Sequence, residues 1–93
     1  MLSFLSKTPQ DIMSELKERC KARRKAFSYT QQELATRSGV SLGSLKRFEQ
    51  SGQISLESLL RIAFVLECLE DFEKVCHRED EEQFESIEEM VSE

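Results

Sequence analysis

Apolar residues recur at helical spacing along most of the chain, and short polar segments separate the apolar runs. One proline and three glycines leave few breaks, and no segment alternates in the manner of a strand. The pattern therefore predicts an all-helical chain with five helices. The residues expected to face the core are Ile12, Leu16, Cys20 and Phe27, then Leu34 and Ala35, then Leu45 and Phe48, then Leu56, Leu59, Leu60, Ile62, Ala63 and Leu66, and finally Leu69, Phe72 and Val75.

Polar residues at the ends of these runs predict where the helices begin and end. Thr30 and Glu33 have the spacing of a capping box, in which each side chain accepts from the other residue's backbone amide. Gly39 can adopt the left-handed conformation that ends a helix. Ser41 and Ser55 precede the third and fourth helices as N-caps. We expect residues 1–7 to form an N-terminal extension, 8–76 the domain, and 77–93 an acidic tail.

The length and composition limit the classes of protein to consider. A chain of 93 residues favours one small domain, and the uncharged apolar run 62–66 is far too short to span a bilayer. Residues 1–6 lack the basic start of a signal peptide, so a cytoplasmic protein is expected. Three cysteines without a CxxC pair suggest reduced thiols, and a single histidine argues against a zinc site. We expect no metal, cofactor or small-molecule substrate.

Charge is distributed unevenly along the chain. Residues 1–53 carry ten basic and five acidic side chains, whereas residues 54–93 carry three basic and thirteen acidic ones. The net charge of −5 therefore conceals a basic first half. A basic segment of this kind favours binding to a polyanion, although an unevenly charged, solvated surface is the simpler interpretation.

Two short helices joined by residues 38–40 are typical of a helix-turn-helix. Ala35 is small where the next helix crosses, and Val40 and Leu45 fill the wedge between the two helices. The second helix would present short polar groups followed by long cations, which suits contact with base edges and phosphates. The residues expected to face outward are Ser41, Leu42, Gly43, Ser44, Lys46 and Arg47.

The segment TQQELATRSGVS at residues 30–41 resembles the signature of the Cro/cI-type (XRE) helix-turn-helix family, and RFEQSG at 47–52 is similar to the motif that ends its third helix. The resemblance covers residues 10–76. It implies a five-helix, lambda-repressor-like domain that binds double-stranded operator DNA as a homodimer and regulates transcription. Leu42 and Gly43 depart from the family pattern, because many relatives have polar, base-reading side chains there. A protein-interaction adaptor with the same fold is the alternative.

The resemblance also implies roles for individual residues. Arg24 and Glu49 would form a structural ion pair, with a phosphate contact as the alternative for Arg24. Gln31 and Gln32, at a helix N-terminus, would contact DNA, whereas Gln31 could also be an ordinary surface residue. Residues 39–49 and 52–60 are similar to regulators that accompany HipA-type serine/threonine kinase toxins. This narrower resemblance implies a repressor with an antitoxin-like role that also binds such a kinase.

The C-terminal segment 79–93 contains eight acidic residues and no basic one. Its apolar residues fall at helical spacing, so a helix that docks on the kinase or on a sister subunit is one interpretation, and a disordered acidic tail is the other. The chain has no glycine-rich phosphate loop and no paired nucleophile and base, so we expect no enzymatic activity. The apolar residues expected to bind the partner are Phe84, Ile87, Met90 and Val91.

Overall fold

A computed structural model describes residues 6–78 of the chain. Four α-helices follow one another, and a single 3₁₀ helix, Leu69–Lys74, ends the described part. No strand occurs among these residues. The α-helices are α1 (Pro9–Ala26), α2 (Gln31–Ser38), α3 (Leu42–Ser51) and α4 (Leu56–Val65).

Side-chain caps define the start of each α-helix. At α2, the Thr30 hydroxyl accepts from the Glu33 amide at 3.0 Å, and the Glu33 carboxylate accepts from the Thr30 amide at 2.8 Å. This geometry confirms the predicted capping box. Thr8 and Asp11 form a second capping box at α1. Ser41 and Ser55 cap α3 and α4, as predicted.

The core lies between the four helices and is built from aliphatic and aromatic side chains. α1 packs on α3, and α2 packs on both α3 and α4. Leu16 of α1, Phe27 just after α1 and Phe72 of the 3₁₀ helix pack against its edge. The buried apolar residues are Cys20, Leu34, Ala35, Val40, Leu45, Phe48, Leu59, Ile62, Ala63 and Leu66.

Four residues expected to face the core are exposed. Ile12 is 43% exposed because the core contacts of α1 begin one turn later, at Leu16. Leu56 is 67% exposed because it lies on the outer side of α4. Val75 is 65% exposed because it follows the end of the 3₁₀ helix, where the backbone becomes extended, and Leu69 at the start of that helix is 37% exposed.

Hydrogen bonds from α1 fix the ends of two other helices. Lys17 donates to the carbonyl of Gln50 at 2.9 Å, near the end of α3. Arg23 donates to the carbonyls of Leu66 and Glu67, where α4 ends, the second at 3.1 Å. Carbonyls at and just beyond a helix C-terminus lack intrahelical partners, so these cations satisfy groups that would otherwise need water. The arrangement confirms the predicted all-helical, lambda-repressor-like fold.

Candidate nucleic-acid interface

The turn between α2 and α3 sets the angle between the two helices. Gly39 caps α2 with φ of 75°, in the left-handed region that L side chains rarely adopt. A Cβ at this position would also lie 3.2 Å from Nη1 of Arg61. Ala35, Val40 and Leu45 are buried at 5% exposure or less, which confirms that they fill the junction between the helices.

α3 presents a polar face to solvent beside this turn. Ser41, Gly43 and Ser44 are exposed in its first turn, and Lys46 and Arg47 are exposed in the second. The Ser41 hydroxyl donates to Oγ of Ser44 at 2.9 Å. A Cβ on Gly43 would have no neighbour within 4 Å, so the backbone there is open to close approach.

Leu42 does not point fully outward as expected. The side chain is half-buried and packs against the core cluster. Its apolar surface is therefore partly used inside the domain, because the first turn of α3 lies over the junction with α2. The face left for a nucleic acid consists mainly of small polar groups and the two cations.

A polar notch separates α3 from the start of α4. The notch has a volume of about 240 Å³, and Arg47 lies on its wall, where Nη2 donates to Oε1 of Gln53. Ser55 and Ser58 line the α4 side, at a helix N-terminus whose amides favour anions. The sequence pattern did not identify Gln53, Ser55 and Ser58 as interface residues, although the end of the third helix at 47–52 and the N-cap at Ser55 place them beside the end of α3.

A buried ion pair joins α1 to α3. Arg24 and Glu49 are each 8% exposed, and the guanidinium donates from Nε to Oε2 at 2.7 Å and from Nη2 to Oε1 at 3.0 Å. Nη1 of Arg24 donates to the carbonyl of Tyr29 at 2.9 Å. With this geometry the arginine has little surface left to contact a phosphate.

Gln31 extends this network to α2. Its Nε2 donates to Oε1 of Glu49 at 2.9 Å, so the side chain is neither a simple surface residue nor wholly available to a ligand. Burial raises the pKa of Glu49, but hydrogen bonds from Arg24 and Gln31 and the arginine charge outweigh burial, and the net pKa lies below the usual value. Glu49 therefore stays ionised at neutral pH and holds three helices together.

The second residue of α2 is more accessible. Gln32 is exposed, and its Nε2 donates to Oγ1 of Thr36 at 3.3 Å, a long hydrogen bond within the helix. Both glutamines lie in the first turn of α2, where backbone amides without intrahelical partners attract anions. This end of α2 can bind a phosphate beside the face of α3.

Three other features of the described residues concern metal binding, membrane spanning and the cysteine thiols. Between residues 6 and 78, no group of three or more His, Cys, Asp or Glu side chains could hold a metal ion. Within the same range, no helix has the length and apolar character needed to cross a membrane. Cys20 is buried, and burial raises its thiol pKa to about 11, whereas Cys76 is exposed.

Comparison with known proteins agrees with this geometry. A family model described as helix-turn-helix matches residues 21–71, which is more than half of the chain and runs from within α1 into the 3₁₀ helix. Comparisons with curated proteins and with solved structures gave no significant match. The chain belongs to the Cro/cI-type (XRE) helix-turn-helix family of DNA-binding transcriptional regulators.

Proposed function

We propose that this regulator binds a palindromic operator as a homodimer and represses transcription, with α3 in the major groove. Lys46 and Arg47 contact base edges or phosphates, and the small residues of the first turn allow the helix backbone to approach the bases closely. A single recognition helix reads only a few base pairs, so a two-fold pair of subunits doubles the contact. The proposed DNA-contacting residues are Gln31, Gln32, Ser41, Leu42, Gly43, Ser44, Lys46 and Arg47.

The observation that carries this proposal is the exposed cationic side of α3. Arg47 makes its side-chain hydrogen bond to the neutral amide of Gln53, so the guanidinium charge is not cancelled by a carboxylate within residues 6–78. All 13 Lys and Arg residues and only 10 of the 18 acidic residues lie in this range, which therefore has a net charge of +3. A net positive domain supports phosphate neutralisation even though the whole chain is acidic.

An Arg47→Ala variant tests the proposal. We expect specific binding to DNA from upstream of the protein's own gene to weaken by about 1–3 kcal/mol at fixed salt, because one cation is lost from the recognition face. Arg19→Ala is the matched control, since Arg19 is an exposed arginine of α1 that pairs with Glu15 at 3.3 Å. Fluorescence anisotropy with labelled duplexes measures both affinities.

Equal affinities for the two variants would contradict the assignment of α3. Failure of the wild-type chain to prefer its upstream DNA over a scrambled duplex would favour the adaptor function instead. Circular dichroism of each variant shows whether the helices are retained, and we expect them to be, because both side chains are exposed.

The proposal includes a HipA-type kinase as a protein partner and an antitoxin-like role for this chain. Its support is the likeness of residues 39–49 and 52–60 to regulators that accompany such kinases. The apolar residues expected to contact the kinase lie outside the described residues. They are Phe84, Ile87, Met90 and Val91.

Deletion of residues 79–93 separates the two activities. We expect operator affinity to stay equal or to increase slightly, because eight negative charges near a polyanion are removed. Association with a HipA-type kinase from the same genome should weaken, because the apolar residues of the tail are lost. Isothermal titration of the kinase with the full and the shortened chain measures this difference, and equal affinities would refute the role of the tail in partner binding.

A further inference from the structure

An apolar groove lies on the outer side of α4, away from the polar notch beside α3. Leu56, Leu60 and Phe64 follow one another at intervals of four residues and form a row along this side of the helix. Leu56 is 67% and Phe64 70% exposed. The opposite side of α4 is buried in the core, so the helix is apolar on both sides, which is typical of a helix that is covered on both.

The groove has a defined shape and a cationic rim. Its volume is about 540 Å³, and Leu69 of the 3₁₀ helix closes one side. Arg37 and Arg61 lie at the edge, where Arg61 pairs with Glu57 at 2.7 Å. Arg37 stacks over the ring of Tyr29 at 4.6 Å and has no carboxylate partner within residues 6–78.

We propose that the C-terminal segment of the same chain, residues 84–91, occupies this groove in the free protein. Phe84, Ile87 and Val91 are spaced at i, i+3 and i+7, the spacing of an apolar stripe that matches a row along a helix. Residues 79–93 carry a charge of −8, whereas the groove is lined by two arginines and one glutamate, so the segment and the rim attract each other.

The length of the chain allows this contact. Arg78, the last described residue, follows Leu69 of the groove wall by nine positions, and six further positions, which span up to about 20 Å when extended, lead to Phe84. A segment tethered in this way meets its site at an effective concentration on the order of millimolar, so a weak contact is populated.

The size of the groove favours this tethered segment over an independent partner. Stable interfaces use roughly 20–30 residues on each side. Nine residues line the groove, which is too few to hold a second copy by this surface alone.

Nuclear Overhauser effects in the full-length free protein test the proposal, without DNA or kinase. We expect contacts between the ring protons of Phe84 and the methyl groups of Leu60. In a mixture of labelled and unlabelled chains, a filtered spectrum should show no such contact between copies. Absence of the contact, or its appearance only between copies, overturns the proposal.

Substitutions in the groove and in the C-terminal segment give a second readout. Phe64→Asp and Ile87→Asp, each in the full chain, should abolish the contact between the tail and the groove. Val75→Asp is the matched control, because Val75 is 65% exposed and does not line the groove. Retention of the contact in both groove and tail variants, or its loss in the control, overturns the proposal. Operator binding is tested separately, with the Arg47→Ala variant of α3, so failure of one proposal does not decide the other.

Discussion

Removal of the Glu49 carboxylate should destabilise the domain more than removal of any exposed carboxylate. Glu49 accepts two hydrogen bonds from Arg24 and one from Gln31, all between 2.7 and 3.0 Å. In the parent structure Arg24 is 8% exposed. In Glu49→Ala its guanidinium would keep the Tyr29 carbonyl as an acceptor but would lose its charged partner. Loss of one partner of a buried pair costs about 3–5 kcal/mol, because the other charge is left uncompensated.

That cost is large relative to the stability of a small domain, which is about 5–15 kcal/mol. Each kcal/mol shifts the Tm of a domain of this size by roughly 4–8 °C, so we expect a decrease of more than about 10 °C. Thermal unfolding followed by circular dichroism measures it. Glu33→Ala is the matched control, since Glu33 is exposed and its capping hydrogen bond contributes about 0.5–1.5 kcal/mol. A decrease in Glu49→Ala no larger than in Glu33→Ala would refute the reasoning.

Two further predictions concern acid stability and backbone conformation. The folded-state pKa of Glu49 is lowered, so its contribution to the free energy of unfolding is present above the ordinary carboxyl pKa and is lost as the pH falls through the folded value. Urea titrations from pH 7 downward should therefore show a smaller acid-dependent loss in Glu49→Gln than in the wild type, and equal slopes would contradict this. Gly39→Ala should destabilise the domain by about 1–2 kcal/mol, because φ there is 75°. Gly43→Ala should instead stabilise it by about 0.5–1 kcal/mol, since the added methyl group meets open space within a helix; chemical denaturation that ranks the two variants in the opposite order would disprove both assignments.

The features that the sequence predicted well are local. The capping box at Thr30, the left-handed turn at Gly39 and the cap at Ser41 depend on residues within four positions of one another, and each has few alternative conformations. Helical periodicity likewise identified Leu45 and Phe48 as core residues, and both are 1% exposed.

The features that the sequence did not predict depend on the tertiary arrangement. Arg23 lies on a charged helix, and nothing near it indicates that it donates to carbonyls more than forty positions away. Helical periodicity did not distinguish Leu56 and Leu60 from the core residues of α4. A helix that is apolar on both sides gives no sign in its sequence of which side faces inward. Gln53 joins the candidate interface only because Arg47 and the start of α4 converge there.

The carboxylate of Glu49, which accepts hydrogen bonds from both Arg24 and Gln31, also fixes the distance between two helices. Through Gln31 and Arg24 it fixes the start of α2 relative to α3, the two elements that we propose to meet a phosphate and the bases. Their separation is therefore established before the protein encounters DNA, and the side chains involved have little rotamer freedom left to lose. A rigid spacing of this kind reduces the entropic cost of association and makes the fit sensitive to groove width, since the protein cannot adjust one contact without moving the other. If α3 reads the bases as we propose, binding should therefore depend on the shape of the DNA as well as on its base sequence.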